Sequence, residues 1–176
     1  VSSRSKRRRP NNFDQQVAFF AALFACLAKI AKADGRVDEA EIKKIEEIIS
    51  TKLNLNREHR NFAINIFQKA KDDNISFEAY ASNLYQVLSS SPNSLLVFYE
   101  MLFELALADG VLHPNEDDLL KKIPRIFRFD ENVYQSLYEK FVDKINDYFK
   151  TLGVNENAPF NEIKNAYLKK RKEFHP

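Results

Sequence analysis

The 176-residue sequence has few of the residues that build nucleotide-binding loops, disulfides and metal clusters. It contains three glycines, and loops that cradle phosphates need clustered glycines for close backbone approach. This scarcity argues against a phosphate-binding loop or a dinucleotide fold. The single cysteine, Cys26, cannot form an intramolecular disulfide or a thiolate cluster, which suits a reducing compartment. The three histidines, His59, His113 and His175, lie too far apart in sequence to form a ligand-spaced pair.

A long hydrophobic run and a nucleophile–base pair are also missing. Residues 17–28 are all apolar or small, but twelve helical residues rise only about 18 Å, against roughly 30 Å of bilayer hydrocarbon. The run therefore predicts a helix buried in the core. No histidine lies next to a serine or cysteine nucleophile, and Cys26 falls inside the apolar run, where a thiol is inert. We expect the protein not to be an enzyme.

The formal charge of +2 is distributed unevenly along the chain. The first ten residues carry +5 and residues 147–176 carry +2, so the middle must carry −5. The basic stretch at the start has three interpretations: a nucleic-acid arm, a disordered solubilising tail, or the cytoplasmic flank of a membrane span. Composition alone favours the disordered tail. With 44% hydrophobic and 30% charged residues, the chain as a whole has the composition of a soluble globular protein.

Apolar residues recur at helical spacing in almost every segment, and no strand alternation persists. The pattern predicts an all-α bundle of about seven helices, the first over residues 13–33. Side chains that can cap a helix precede most of the others, and Pro114 opens the sixth. The predicted capping residues are Asp38, with Glu41 completing a capping box, and then Asn56, Ser76, Ser91 and Asp130. Apolar spacing continues from the seventh helix through Ile145 to Leu152, which predicts little or no flexible linker there.

A sequence repeat divides the predicted bundle into two similar hairpins. Ala33-Asp34-Gly35-Arg36-Val37 recurs 75 residues later as Ala108-Asp109-Gly110-Val111-Leu112. Each glycine can end the preceding helix in the left-handed conformation. Glu41 and Glu116 follow at the same offset, in the first turn of the next helix, where the helix dipole favours a negative charge. We expect two equivalent helical hairpins around a pseudo-symmetric core.

The acidic hairpins have two interpretations. An Asp-Gly pair with a glutamate seven residues after the Asp is also the back half of an EF-hand loop, but Lys32 and Ile30, or Leu107 and Leu105, stand where oxygen ligands are needed. A looser divalent-metal site remains an alternative, with Asp34, Glu41, Asp109 and Glu116 as its predicted ligands. Helix capping is the favoured interpretation because every acid has a local role. No cofactor is required.

Residues 13–129 resemble the TerB-like, tellurite-resistance-type helical domain. The two Ala-Asp-Gly hairpins and their trailing glutamates carry this likeness. Three stretches are similar, more narrowly, to the DjlA family of bacterial membrane-anchored, DnaJ-like co-chaperones. They are Gln16-Val17-Ala18-Phe19-Phe20, Gly35-Arg36-Val37, and the more specific run Ala108-Asp109-Gly110-Val111-Leu112-His113-Pro114-Asn115-Glu116.

Residues 147–176 resemble the opening of a J domain. Asp147-Tyr148-Phe149-Lys150-Thr151-Leu152-Gly153-Val154 is followed in register by Ala158, Glu162-Ile163-Lys164-Asn165-Ala166-Tyr167 and Phe174-His175-Pro176. The family signature is His-Pro-Asp, and the sequence ends one residue before that aspartate. Leu168, Lys170 and Arg171 depart from the usual pattern. Residues 161–174 have an apolar face of Ile163, Ala166, Tyr167 and Phe174, opposite a basic face of Lys164, Lys169, Lys170, Arg171 and Lys172.

These resemblances imply a basic tail over 1–12, which would be a juxtamembrane flank, a TerB-like domain over 13–146, and a truncated J domain over 147–176. The implied partner is a DnaK-class chaperone whose ATP hydrolysis the J domain stimulates. By resemblance, its binding residues are Lys164, Tyr167, Lys169, Lys172, His175 and Pro176. The TerB-like domain would recruit, assemble or sense an unidentified client or membrane-associated protein, with self-association through an exposed apolar groove as one route.

The same resemblance implies a place on the cytoplasmic side of the bacterial inner membrane, with the anchor outside this soluble chain. Two other functions remain as alternatives. One is a divalent-metal sensor built on the acidic hairpins. The other is a nucleic-acid adaptor that uses both basic ends, which the acidic middle would oppose by repelling a long polyanion.

Overall fold

The computed structural model describes residues 12–155 and 158–174. Within those ranges, helices are joined by turns and loops, and there are no strands. The structure does not describe the side chains of residues 12–14, 160, 173 and 174. The first half contains α1 (Asn12–Ala31), α2 (Glu39–Glu47), the π-helical turn π1 (Ile48–Lys52), α3 (Arg57–Ala70) and α4 (Phe77–Leu88). The second half contains α5 (Pro92–Ala106), α6 (Pro114–Leu120), α7 (Ile123–Phe127), α8 (Asn132–Tyr138), the π-helical turn π2 (Glu139–Asp143), α9 (Lys144–Leu152) and α10 (Phe160–Phe174).

The starts of α2, α3 and α4 follow the local chemistry of the capping residue. Asp38 and Glu41 form the expected capping box, with both hydrogen bonds at 2.8 Å. Asn56 and Ser76 accept from the backbone N–H three residues later, at 2.9 and 3.2 Å. Ser91 precedes Pro92 as predicted, but its hydroxyl hydrogen-bonds the Ser94 hydroxyl rather than the backbone.

The predicted start of the seventh helix was wrong. It begins at Asn132 rather than directly after Asp130, whose carboxylate accepts from the Asn132 N–H at 2.9 Å. The extra helix α7 precedes it, so the region expected to hold about seven helices holds α1 to α8. Helix α7 has Pro124 in its first turn. It ends at Arg128, which adopts the left-handed conformation with φ 56°.

The two helices that precede the hairpins form the centre of the bundle. Helix α1 packs against α3, α4 and α5, and Phe24 and Leu27 on it are completely buried. Tyr99 and Leu102, at the equivalent positions of α5, are also completely buried. The run 17–28 is therefore largely buried in the core, as expected. Among the described residues, no helix combines the length and the apolar character needed to cross a bilayer.

Cys26 lies within this core, and burial raises the pKa of its thiol far above the ordinary range. The thiolate is the reactive form of cysteine, so a thiol held protonated at this position is chemically inert.

Helices α8 and α9 are parts of one continuous helix. Every residue from 132 to 152 is helical, with π2 in the middle of the run. Leu137 and Val142 are buried on the core side, and the Phe141 ring stacks on Phe103 of α5 with centroids 5.9 Å apart. The expectation that no flexible linker separates the bundle from the last segment is confirmed.

Candidate functional site

The two Asp-Gly hairpins have the same hydrogen-bond pattern. In the first, the Gly35 N–H donates to the Lys32 carbonyl at 2.9 Å, and Asp34 accepts from the Arg36 N–H at 3.3 Å. In the second, Gly110 donates to Leu107 at 3.0 Å, and Asp109 accepts from the Val111 N–H at 2.9 Å. Both glycines have positive φ, at 103° and 93°, where a side chain would strain the backbone. The predicted repeat is therefore a repeat of structure as well as of sequence.

Each hairpin ends with a buried glutamate. Glu41 is 7% exposed and Glu116 is 3% exposed. The carboxylate of Glu41 accepts from the Asp38 N–H, and that of Glu116 accepts from the His113 N–H at 3.1 Å. Burial raises the pKa of Glu41 to about 7 and that of Glu116 to about 8, and the neighbouring carboxylates add to both shifts. These acids cap helices, as the favoured interpretation states.

The two hairpins contact each other directly. The side-chain amide of Asn115, in α6, donates to the Ala33 carbonyl at the end of the other hairpin, at 3.1 Å. The charges also act between hairpins, since Asp109 contributes to the raised pKa of Glu41 and Glu41 to that of Glu116. The structure thus places acids of the two hairpins close enough for their charges to interact. Sequence reasoning assigned no role to Asn115.

The two hairpins differ at the residue that precedes the second helix. Asp38 stands there in the first hairpin and its side chain caps α2. His113 replaces it in the second, and its Nε2 lies 2.9 Å from Oδ2 of Asp109. This hydrogen bond raises the pKa of the imidazole, which favours the charged form. His113 is therefore paired within its own hairpin, a contact that the sequence spacing of four residues could have suggested.

The predicted metal ligands are all engaged in local hydrogen bonds. One oxygen of Asp34 and one of Asp109 close the turns, and one oxygen of each glutamate caps a helix. Within residues 12–155 and 158–174, no three His, Cys, Asp or Glu side chains are arranged to hold a metal ion. A metal role for these four residues stays a prediction.

The segment that resembles a J domain contributes a helix with two different faces. Ile163, Ala166 and Lys170 of α10 are half-buried on the side that packs against α9. Lys164, Lys169 and Lys172 are exposed. Two positions differ from the predicted faces: Tyr167 is 53% exposed and lies outside the packed side, whereas Lys170 lies on it. His175 and Pro176 lie outside the described residues, as does the side chain of Phe174.

The turn between α9 and α10 is defined by the backbone. The Gly153 N–H donates to the Lys150 carbonyl and the Val154 N–H to the Phe149 carbonyl, both at 3.1 Å, which is the Schellman pattern of a helix end. Pro159 then starts α10 by accepting from the N–H groups of Glu162 and Ile163. This turn joins α9 to α10, and the two helices pack against each other.

Comparison with known proteins agrees with this architecture. Residues 20–139 match the family described as tellurite resistance protein TerB. Co-chaperone protein DjlA of Photobacterium profundum is 32% identical over 192 aligned positions, covering 96% of this chain and 69% of that protein. The chain belongs to the DjlA co-chaperone family.

Other members of the DjlA family show similar coverage. The Co-chaperone protein DjlA of Coxiella burnetii is 30% identical over 98% of this chain and 69% of its own length. That of Vibrio vulnificus is 28% identical over 95% of this chain and 69% of its own length. No solved structure matches the chain. The TerB match ends before α9, whereas the DjlA alignments extend over nearly the whole chain, so the family assignment includes the segment after the bundle.

Proposed function

We propose that this DjlA-family chain acts as a co-chaperone whose segment α9–α10 docks on a DnaK-class chaperone and stimulates its ATP hydrolysis. The observation that supports this is the exposed basic face of α10, with Lys164, Lys169 and Lys172 free of the bundle. A helix packed on one side and cationic on the other fits an acidic docking surface. The chain itself hydrolyses nothing in this proposal.

Helical geometry supports one continuous docking face. Successive helical residues are 100° apart, so Lys164, Leu168 and Lys172 follow one line along α10 and Tyr167 and Arg171 lie beside it. All five are exposed. The exposed apolar parts of Tyr167 and Leu168 can supply contact area, and the surrounding charges can select and orient the partner. By resemblance, His175 and Pro176 complete this surface.

The TerB-like body has the second role in the proposal, which is to recruit or sense a client or membrane-associated protein, or to mediate self-association. By resemblance to membrane-anchored relatives, the protein works at the cytoplasmic side of the bacterial inner membrane. The basic cluster of the first ten residues fits a positive-inside flank, since cytoplasmic segments beside membrane spans are enriched in Lys and Arg.

Chaperone ATP turnover in the presence of the full-length protein tests the docking role. We expect stimulation that falls several-fold when Lys164 and Lys172 are both changed to glutamate, because the reversed charges repel an acidic surface. Lys43→Glu, on an exposed position of α2, is the matched control and should leave the stimulation unchanged. Absence of stimulation, or full stimulation after His175→Gln, would contradict the proposal.

A divalent-metal sensor is the second proposal, and the meeting of the two acidic hairpins favours it. The Asn115–Ala33 hydrogen bond joins the loops that carry Asp34 and Asp109. Calorimetry with calcium, magnesium and zinc measures such binding. If the hairpins bind metal, the heat should disappear when Asp34 and Asp109 are both changed to asparagine, which keeps the turn-closing oxygen. No heat at millimolar metal would leave these acids with capping roles alone.

A further inference from the structure

Helix α9 is attached to the bundle at its start and needs a second contact to fix its direction. Its N-terminal neighbour π2 is anchored by buried Val142 and by Phe141 stacked on Phe103. Within α9 itself no residue is fully buried. A π-helical turn interrupts the regular hydrogen-bond ladder and is a common place for a helix to change direction. The orientation of α9 therefore depends on what it touches beyond π2.

The second hairpin supplies that contact. The Cζ atom of the Phe149 ring lies 3.6 Å from where a Cβ on Gly110 would be, so the tip of the ring faces Gly110 at van der Waals distance from that position. A cavity of about 190 Å³ lies beside this contact, between the hairpin and the continuous helix 132–152. Its lining includes Leu107, Val111 and Leu112 of the hairpin and Val142, Ile145 and Asn146 of the helix. The hairpin and α9 thus face each other along more than a turn of helix.

The first hairpin provides an internal comparison. Gly35 has the same turn and a similar positive φ, but nothing lies within 4 Å of its Cβ position. The two hairpins share their hydrogen bonds and differ in this contact. The positive φ favours a glycine at both positions, and only Gly110 has an aromatic ring within van der Waals distance of its Cβ position.

The position of Phe149 links this contact to α10. Its carbonyl accepts the Val154 N–H in the turn that ends α9, and α10 packs against α9 through Ile163 and Ala166. A displacement of the Phe149 ring would therefore move the end of α9, the turn and α10 together. The basic face of α10 would then point in another direction relative to the TerB-like body.

We propose that Gly110 and Phe149 are positioning residues through which the second hairpin sets the orientation of the α9–α10 segment on the TerB-like body. This inference extends the proposed function, because the orientation governs how the basic face of α10 is presented to a chaperone. The hairpin that carries the Glu116 cap is then the point at which the body and the docking segment are coupled.

Spin-label distances in the full-length protein test the orientation without any chaperone. Labels at Asn65→Cys on α3 and Asn165→Cys on α10 sit at exposed positions, and buried Cys26 stays unlabelled. We expect one narrow distance distribution in the parent protein. Phe149→Ala should broaden or shift it, because the ring that holds α9 is gone, while Phe149→Leu should restore part of the parent distribution.

The two glycines give a matched pair of variants. Asparagine tolerates positive φ better than most other residues with a side chain. Because the two glycines have similar φ values, Gly35→Asn and Gly110→Asn carry similar backbone strain. Only Gly110→Asn places an amide against Phe149. We expect Gly35→Asn to keep the parent distance and Gly110→Asn to lose it, with similar thermal unfolding temperatures for both. Parent-like distances in both Gly110→Asn and Phe149→Ala would overturn the inference.

Chaperone ATP turnover separates this inference from the proposed function. If the distances change and the parent protein stimulates the chaperone, Gly110→Asn should stimulate several-fold less than Gly35→Asn. A distance change without any stimulation by the parent protein would support the positioning role and contradict the proposed docking role. Unchanged distances in the variants, together with stimulation by the parent protein, would contradict the positioning role and support the proposed docking role.

Discussion

At the scale of single residues, Glu41 and Glu116 are carboxyl groups held almost entirely out of water. Each is stabilised by one backbone N–H, and each lies near the other and near Asp109. Burial disfavours the charged form of a carboxyl group, and nearby negative charge disfavours it further. The folded protein therefore binds protons at these positions more tightly than the unfolded chain does.

This proton binding predicts a pH-dependent stability. A pKa raised from 4.5 to about 8 in the folded state gives Glu116 a stabilising contribution that is complete below pH 4.5 and lost as the pH rises to about 8. The loss is on the order of a few kcal/mol. Glu116→Gln keeps an oxygen for the His113 N–H but removes the titration. We expect urea unfolding to show a smaller decline in stability between pH 5 and pH 8 for this variant.

His113 adds a decline of the same sign, because its pKa is also raised in the folded protein. The difference between the parent and Glu116→Gln reports the glutamate together with its charge interactions with His113 and Glu41. Glu131→Gln, at an exposed position, serves as a control that should leave the slope unchanged. A parent protein whose stability rises with pH over this range would refute the assignment of a buried, proton-binding glutamate.

At the scale of helices, local chemistry predicted some features and tertiary packing decided others. The caps at Asp38, Asn56 and Ser76 follow from side chains that compete for the first N–H groups of a helix, and a single sequence contains that information. Pro124 is a local signal for the start of α7, whereas the two π-helical turns depend on how neighbouring helices pack, which no local pattern reports. The exchange of Tyr167 and Lys170 between the faces of α10 has the same cause, since α9 covers only one side.

The candidate site could be predicted only in part, because its turns and caps are local whereas its other contacts depend on tertiary packing. The repeat indicated two equivalent hairpins, and the offset of Glu41 and Glu116 indicated their capping roles. The sequence did not indicate that Asn115 bridges the hairpins or that Phe149 packs on Gly110, because both contacts join residues far apart in the chain. Such contacts depend on the angle between packed helices rather than on helical spacing.

At the scale of the whole molecule, charge is separated between an acidic middle and a basic final helix. Residues 147–176 carry a formal +2, and the exposed cations of α10 are concentrated on the sides that do not pack against α9. Opposite charges on two proteins accelerate their encounter at long range, and salt screens this attraction. If α10 docks on an acidic chaperone surface, the rate of association should be the most salt-sensitive quantity.

We expect the association rate constant between the full-length protein and the chaperone to fall by roughly tenfold as salt rises from 0.05 to 0.5 M, while the dissociation rate changes less. Surface plasmon resonance or stopped-flow fluorescence measures both. Lys164→Gln with Lys172→Gln should flatten the salt dependence, because fewer charges remain to be screened. Lys43→Gln on α2 should retain it. Equal salt slopes for all three proteins would mean that α10 does not guide the encounter, and the exposed lysines would then be a solvated helix face.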